Sequence, residues 1–289
     1  MPTDLPAAAV ARVHRSLESL HALIYFAPEA DEEFTAAGLR PGRMGYFASR
    51  SAPMGAVAAG VTTAAFYNFN PSLVAHFIPH AWTLASPADV LAARYRAVDR
   101  ALGRLLGAEA DSDAVREAAD LAQRATRDLP AVARPLYAGH ADLDWPDGPA
   151  HVVLWHAITL LREFRGDGHV AALLDAEVSG IDAQVTHVAT GRGFTEPAAK
   201  KSRGWSDAEW DAARESLGER GLLAADGALT EAGNALRARI EATTDRLSAA
   251  PWRNLDAAEV ERLTELGKQL SRTVIAAGAF PPGVFASGH

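Results

Sequence analysis

The stretch "LLREFRGDGHVAALL" (160–174) places Arg162, Arg165, Asp167 and His169 close together in the chain. Two guanidiniums can hold a carboxylate or phosphate through forked, charge-assisted hydrogen bonds. A histidine can donate, accept, ligate a metal or move a proton near neutral pH. Leu160, Leu161 and Phe164 form the apolar stripe of one helix, and Gly166 and Gly168 predict its break. In that reading Gly166 ends the first helix and Asp167 caps a second one starting near Val170. The free N–H groups of that second helix, near 168–172, would face an anion. Turn chemistry accounts for the glycines and Asp167, and the helix dipole accounts in part for the arginines. It gives His169 no role.

A second concentration of chemistry lies in "GYFASRSAPMGAVAAG" (45–60) and "FYNFNPSLV" (66–74). Tyr46, Phe47, Phe66, Tyr67 and Phe69 are dense aromatics in a chain with 7% Phe, Trp and Tyr. Most are expected in the core, and Tyr46, Arg50, Tyr67 and Asn68 are the candidates to line a cavity. Asn70 predicts a cap for a helix opening at Pro71. Ser49 and Ser51 lack any motif of a nucleophile, and no GxGxxG, P-loop, GxSxG or SxxK occurs.

Metal spacing is poor. His156 and Glu163 are seven residues apart, about 10 Å along a helix, and His76 and His80 are separated by Pro79. No protein-ligated metal is expected. A haem or other tetrapyrrole on a single histidine leaves no spacing signature and stays open.

The elements that must position these groups are mostly helical. Val13, Leu17, Leu20 and Ile24 recur at helical spacing and predict a helix over 8–26. Further helices are expected over 86–106, 113–133, 151–165, 206–220, 230–248 and 256–277, several opening on Ser or Thr caps. The clearest strand signal is "GLLAADGALT" (221–230), a hairpin pattern. The segment 137–150, rich in Gly, Pro and Asp, reads as a linker. The two sides of it resemble one another: an offset of 145 places Leu84 on Leu229, Arg94 on Arg239, Leu102 on Leu247, Val115 on Val260 and Arg127 on Arg272. An internal duplication is therefore expected, with an N-terminal half over 1–140, a linker over 141–150 and a C-terminal half over 151–289.

At 289 residues with a net charge of −8, the chain can bury a large core and its overall field opposes a polyanion. Without cysteine there is no disulfide, thiolate metal site or cysteine nucleophile. The N-terminal stretch has Asp4 where a secretory leader is basic, and "GAVAAGVTTAAFY" (55–67) is too short to span a bilayer. A soluble, cytoplasmic protein without a membrane partner is expected.

Residues 205–247 resemble the winged helix-turn-helix of MarR-type regulators. Leu217, Gly221-Leu222-Leu223, Asp226-Gly227 and Leu229-Thr230-x-x-Gly233-x-x-Leu236 occupy the places of that family's helix end, strand, wing turn and next helix start. With "YNFNP" (67–71) and "LLREFRGDGH", the whole chain also resembles an actinobacterial helix-turn-helix-like family. The resemblance implies a mainly α fold of two winged-helix-like, MarR-related halves with short β-hairpin wings, paired as a pseudo-dimer within one chain. A ligand pocket would then lie between the halves, and the chain would be a monomer of that kind or a homodimer.

The departures decide the function expected. The wing Ala224-Ala225-Asp226-Gly227-Ala228 has no arginine, and the helix before it carries Asp207, Glu209, Asp211, Glu215 and Glu219 against Arg214 and Arg220. That is a poor face for DNA. The reading is a small-molecule-binding protein, a sensor or biosynthetic accessory protein, that has lost specific DNA binding. Its ligand, anionic or aromatic, would meet Arg162, Arg165, Asp167, His169, Tyr46, Arg50, Tyr67 and Asn68. The alternative is an enzyme using the same cleft, with His169 as acid/base or cofactor ligand; the third reading is a MarR-like transcriptional regulator.

Overall fold

The structure, a computed structural model, describes residues 5–286. Among them the chain forms α1 (Ala7–Ala22), α2 (Pro28–Ala36), α3 (Arg43–Ser51), α4 (Ala59–Phe66), α5 (Pro71–Phe77), α6 (Pro87–Leu106) and α7 (Asp113–Ala125). These are followed by α8 (Pro135–Ala141), α9 (Ala150–Asp175), α10 (Gly180–Val188), α11 (Glu196–Arg203), α12 (Asp207–Glu219), α13 (Glu231–Leu247) and α14 (Ala257–Ala276). Two compact units result. The first takes the chain up to Val57, Pro79–Gly168 and Asp245–Phe280; the second takes Ala58–Ile78, His169–Thr244 and the segment from Pro281 on.

In the first unit α1 lies along α14, α2 along α6, and α7 along α14. Val10, Val13, Leu17 and Leu20 bury one stripe of α1, and Val260, Leu263, Leu266, Leu270 and Val274 bury one of α14. Gly267 sits where the two backbones meet: a Cβ there would stand 2.7 Å from Ser16 Oγ. Ser271 Oγ closes the same seam by donating to the Ser16 carbonyl at 2.8 Å. Ser86, Ser112 and Asp256 cap α6, α7 and α14. The helix expected over 113–133 ends at Ala125, because Asp128 turns left-handed at φ 51 and Pro130 follows. The first helix ends at Ala22 and tightens into a 3-10 turn over Leu23–Tyr25.

The break expected at Gly166–Gly168 does not form: α9 runs unbroken through both glycines. Each glycine costs a helix about 1 kcal/mol, offset here by the buried apolar residues of the same helix on both sides, among them Leu161, Phe164, Ala172 and Leu173. Gly168 is there for clearance, since a Cβ would stand 3.2 Å from both Arg134 Nη1 and Leu247 Cβ. Asp167 consequently caps no helix of its own. Its carboxylate accepts the Tyr137 N–H, in the first turn of α8.

The second unit has two apolar clusters. One gathers Leu173, Val178, Leu236 and Ile240. The other gathers Val185, Trp210, Leu217 and Leu223. The Leu-Thr-x-x-Gly pattern has a direct physical reading here. Thr230 Oγ1 accepts the Gly233 N–H at 3.1 Å as the cap of α13, and a Cβ on Gly233 would collide with the Leu222 carbonyl oxygen. The hairpin wing is not built. Among the described residues there is no strand, and the hairpin segment has a single antiparallel bridge, between Leu223 and Leu229; a second isolated bridge joins Phe194 and Phe285. The five residues between Leu223 and Leu229 close on Asp226-Gly227, leaving arms too short for a ladder. The mainly α expectation is met, but the two winged-helix halves with β-hairpin wings expected from the resemblance are not supported, since no strand is formed among the described residues. Before α10, a Cβ on Gly180 would strike the Tyr67 carbonyl, which Tyr67 presents from a left-handed φ of 56.

Helix order runs in parallel along the chain. The series α3, a 3-10 turn, α4, α5, a 3-10 turn, α6, a 3-10 turn and α7 resembles α10, α11, α12, the Leu223–Leu229 bridge, α13, a 3-10 turn and α14, except that no 3-10 turn follows α10 and the bridge stands where the turn after α5 does.

Candidate functional site

Polar residues placed on otherwise apolar helix stripes build one cluster in the first unit. His21 follows Leu17 by one turn on α1, and Tyr25 lies in the 3-10 turn after it. Tyr46 and Arg50 share a face of α3. Arg94 continues the stripe Val90–Ala97–Ala101 of α6, His140 comes from α8, and Trp155, Arg162 and Glu163 come from α9. His21, Arg50, Arg94, His140 and Glu163 are all buried.

Glu163 is the hub of one half of the cluster. Arg50 Nη2 donates to both its oxygens, at 3.2 and 3.0 Å, and Arg162 Nη1 donates to Oε1 at 3.0 Å. Arg50 Nη1 also donates to the Tyr46 hydroxyl at 3.0 Å, and Arg162 Nε reaches Glu18 at 3.3 Å. Burial opposes ionisation of Glu163, but Arg50 and Arg162 outweigh it and hold the carboxyl at about 2.

Arg94 is different: among the described residues no carboxylate touches it. Its Nη1 donates to the Ser49 carbonyl at 3.2 Å and lies 2.9 Å from His140 Nε2. Because guanidinium only donates, Nε2 accepts, and Nδ1–H donates to the Leu136 carbonyl at 2.8 Å. His140 is thereby held neutral, with its pKa pushed to about 3 by burial and by Arg94. The Arg94 guanidinium lies over the Trp155 ring at 4.7 Å, and the His21 ring stacks on the same indole at 5.1 Å and 5°. Tyr25 packs edge-on against His21 and Tyr46.

Among the described residues, both ring nitrogens of His21, the Tyr25 hydroxyl, and Nε and Nη2 of Arg94 are shielded from solvent without a hydrogen-bond partner. Each such group costs about 1–3 kcal/mol unless something satisfies it. Nε and Nη2 form one edge of the guanidinium, the side-on fork that fits two oxygens of a carboxylate or phosphate. Burial, with Arg162, Arg94 and Arg50 nearby, holds His21 neutral, and burial raises the Tyr25 phenol. Both are therefore uncharged donors that also accept.

The structure brings Tyr46, Arg50 and Arg162 of the expected site together. Asp167 is buried at the start of α8, and burial pushes its carboxyl up to about 7 despite the Tyr137 N–H. Arg165 pairs with Asp245 at 2.9 Å, away from Glu163's partners. In the second unit, His169 Nδ1 lies 2.9 Å from Thr244 Oγ1, whose own proton goes to the Ile240 carbonyl. The Tyr67 hydroxyl donates to the Val178 carbonyl at 2.5 Å, and the Asn68 carbonyl accepts the Trp205 indole N–H at 3.1 Å. Sequence reasoning passed over Arg94, His21, His140, Tyr25 and Glu163 as members of a site. The available signal was a charged or titratable residue on an apolar stripe, as Arg94 stands after Val90.

Among the described residues no group of three His, Asp or Glu stands close enough to hold a metal ion, and no helix is long and apolar enough to cross a membrane. No curated protein and no solved structure matches the chain. A helix-turn-helix family matches residues 10–281, nearly the full length and all fourteen helices but the first residues of α1. The chain belongs to that helix-turn-helix family.

Proposed function

We propose that this protein binds a small oxyanion, a carboxylate or phosphate group, on Arg94, and that its helix-turn-helix scaffold serves ligand binding in place of specific DNA binding. The observation that carries this is Arg94 itself: a residue 2% exposed, with no carboxylate partner among the described residues and an unpartnered Nε/Nη2 edge. Guanidinium does not deprotonate in proteins, and an unpaired buried charge is costly. A ligand oxyanion would satisfy the fork, with Tyr25 and His21 as further partners and Trp155 as the apolar wall. Arg50 and Arg162 bias the surroundings toward negative charge while Glu163 neutralises part of their own. The role is that of a sensor or biosynthetic accessory protein.

The surface of α12 supports the second half of the proposal. Asp207, Glu209, Asp211, Glu215 and Glu219 are exposed on it, Arg220 is drawn to Asp182 at 3.3 Å, and Arg214 lies 3.7 Å from Glu196. The turn at Ala224–Ala228 offers no cation. The kinship with MarR-type regulators rests on the Thr230 cap and the clearance at Gly233, and the parallel helix order supports an origin by duplication.

The test is thermal unfolding with sodium phosphate, acetate or benzoate, each against sodium chloride of equal ionic strength. At least one of the three should raise the midpoint of the native protein, and Arg94→Met should abolish that rise. No rise with any of the three, or an equal rise in the variant, overturns the proposal.

A further inference from the structure

A second feature, independent of the oxyanion cluster, lies in the first unit beyond the end of α7. A groove of about 410 Å³ is lined there by Gln123, Arg127, Asp128, Tyr137, Trp145 and Leu160, among others. Its size lies within the range of small-molecule sites, about 300–1,000 Å³. Two observations distinguish it from an ordinary surface furrow.

The first is Tyr137. The residue is 3% exposed and its ring is fixed edge-on to Phe164 at 5.1 Å. Yet among the described residues none hydrogen-bonds its hydroxyl, and it lines the groove. The ring is packed away while the hydroxyl reaches solvent in the groove, where it can donate to or accept from a ligand. The second is the company it keeps. Gln123, half-buried, and Arg127 and Asp128, both exposed, also line the groove, and among the described residues no side chain of the three has a hydrogen-bond or ion-pair partner. Arg127 and Asp128 are neighbours in sequence that do not pair with each other. Asp128 takes the left-handed φ of 51 that turns its segment away from α7.

We propose that this groove binds a sugar, with the ring against the Trp145 indole and its hydroxyls on Tyr137, Gln123, Arg127 and Asp128. The mixture of side chains selects that chemistry. An amide and a phenol both donate and accept, a guanidinium only donates and a carboxylate only accepts, so the set matches vicinal hydroxyls that do both. The charges at Arg127 and Asp128 cancel, which suits a neutral ligand. Trp145 is 39% exposed while its ring is held against the His156 ring at 4.7 Å, so it offers an immobilised apolar platform. Leu160 extends that platform as an aliphatic floor.

The experiment is saturation-transfer NMR on the whole protein with glucose, mannose, N-acetylglucosamine and myo-inositol as probes. At least one should show saturable transfer. Tyr137→Phe removes only the hydroxyl and should weaken it about 3- to 10-fold, as for one neutral hydrogen bond. Trp145→Ala, at an exposed position, should weaken it further, while Arg94→Met should leave it unchanged. No transfer from any probe, or transfer unaffected by both groove variants, overturns the proposal. Transfer from tryptophan or tyrosine instead, weakened by salt and by Arg127→Gln, would assign the groove to zwitterions and also overturn it. Because the two sites share no residue, failure here leaves the Arg94 reading standing, and the reverse holds as well.

Discussion

The Asp167 carboxylate, in the interior of α9, accepts the backbone N–H of Tyr137 at 2.9 Å and so caps α8, a helix whose own N-cap residue, Arg134, supplies no side-chain cap. Arg134 is occupied elsewhere, donating to the carbonyls of Phe164 and Leu247. The seven-residue α8 brings His140 to Arg94, so a cap borrowed from α9 holds one wall of the oxyanion cluster in place.

Asp167 also makes a pH prediction. Its folded-state pKa of about 7 lies above the ordinary value of 3.8. The folded protein therefore holds an extra proton between the two values, and this group's contribution to stability falls as pH rises from about 4 to 7. Asp167→Asn keeps an acceptor for Tyr137 and removes the titration. The difference in unfolding midpoint, variant minus native, should be larger at pH 8 than at pH 5; an equal difference refutes the assignment. Asp167→Ala should cost about 1 kcal/mol at pH 5, as lost caps do.

Buried neutral histidines act in the opposite sense. His14 and His140 are lowered to about 3 and His156 to about 4, each by burial first, and His21 lies well below its ordinary value. Their unfolded value is near 6.5. Stability from these groups is complete above that value and is lost as pH falls through the folded ones. Four such groups outweigh the single proton at Asp167, so urea midpoints should drop steeply between pH 6.5 and 4. A flat profile there would mean that the rings are not buried neutral.

Arg94→Met is predicted to fold with unchanged or raised stability in the absence of ligand. Replacing a buried unpaired charge by an apolar side chain of similar length removes a desolvation cost that offsets the donor lost to the Ser49 carbonyl and His140 Nε2. Chemical denaturation in chloride buffer measures it. A loss of several kcal/mol would make Arg94 a structural residue of the core.

Duplex DNA should find little to hold. At about 0.15 M salt, non-specific binding is in the micromolar range or weaker, and fluorescence anisotropy with genomic fragments should show nothing tighter. A sequence-specific nanomolar complex would restore the regulator reading against the acidic face of α12.

Two glycine substitutions should move stability in opposite directions. Gly103→Ala in α6 meets nothing within 4 Å and should stabilise by about 0.5–1 kcal/mol. Gly233→Ala would press its Cβ on the Leu222 carbonyl and should destabilise by about 1–3 kcal/mol. Calorimetric midpoints decide both.

The fold was legible where periodicity and caps agree. Ser86, Ser206 and Thr230 open the helices that their positions announce, and the α14 stripe is readable in full. The helix through Gly166 and Gly168 was not legible, because a glycine kept for clearance from Leu247 looks the same in sequence as one kept for a turn. The Leu223–Leu229 arms carried a strand pattern, but a bridge needs length that pattern alone does not measure. At the site, Tyr46, Arg50 and Arg162 could be found from residue type. Arg94 could not, because what distinguishes it is the absence of a carboxylate in three dimensions.

Trp155 carries both a guanidinium and an imidazole on its ring, Arg94 at 4.7 Å and His21 stacked at 5.1 Å. That packing makes the indole an optical gauge of the cluster. Excited-state indole carries a large dipole, so its emission energy follows the electric field of the charge above it. An anion arriving on the far edge of Arg94 would change that field without touching the ring. The emission of the native protein minus that of Trp155→Phe would then report occupancy continuously, in a chain that needs no added dye.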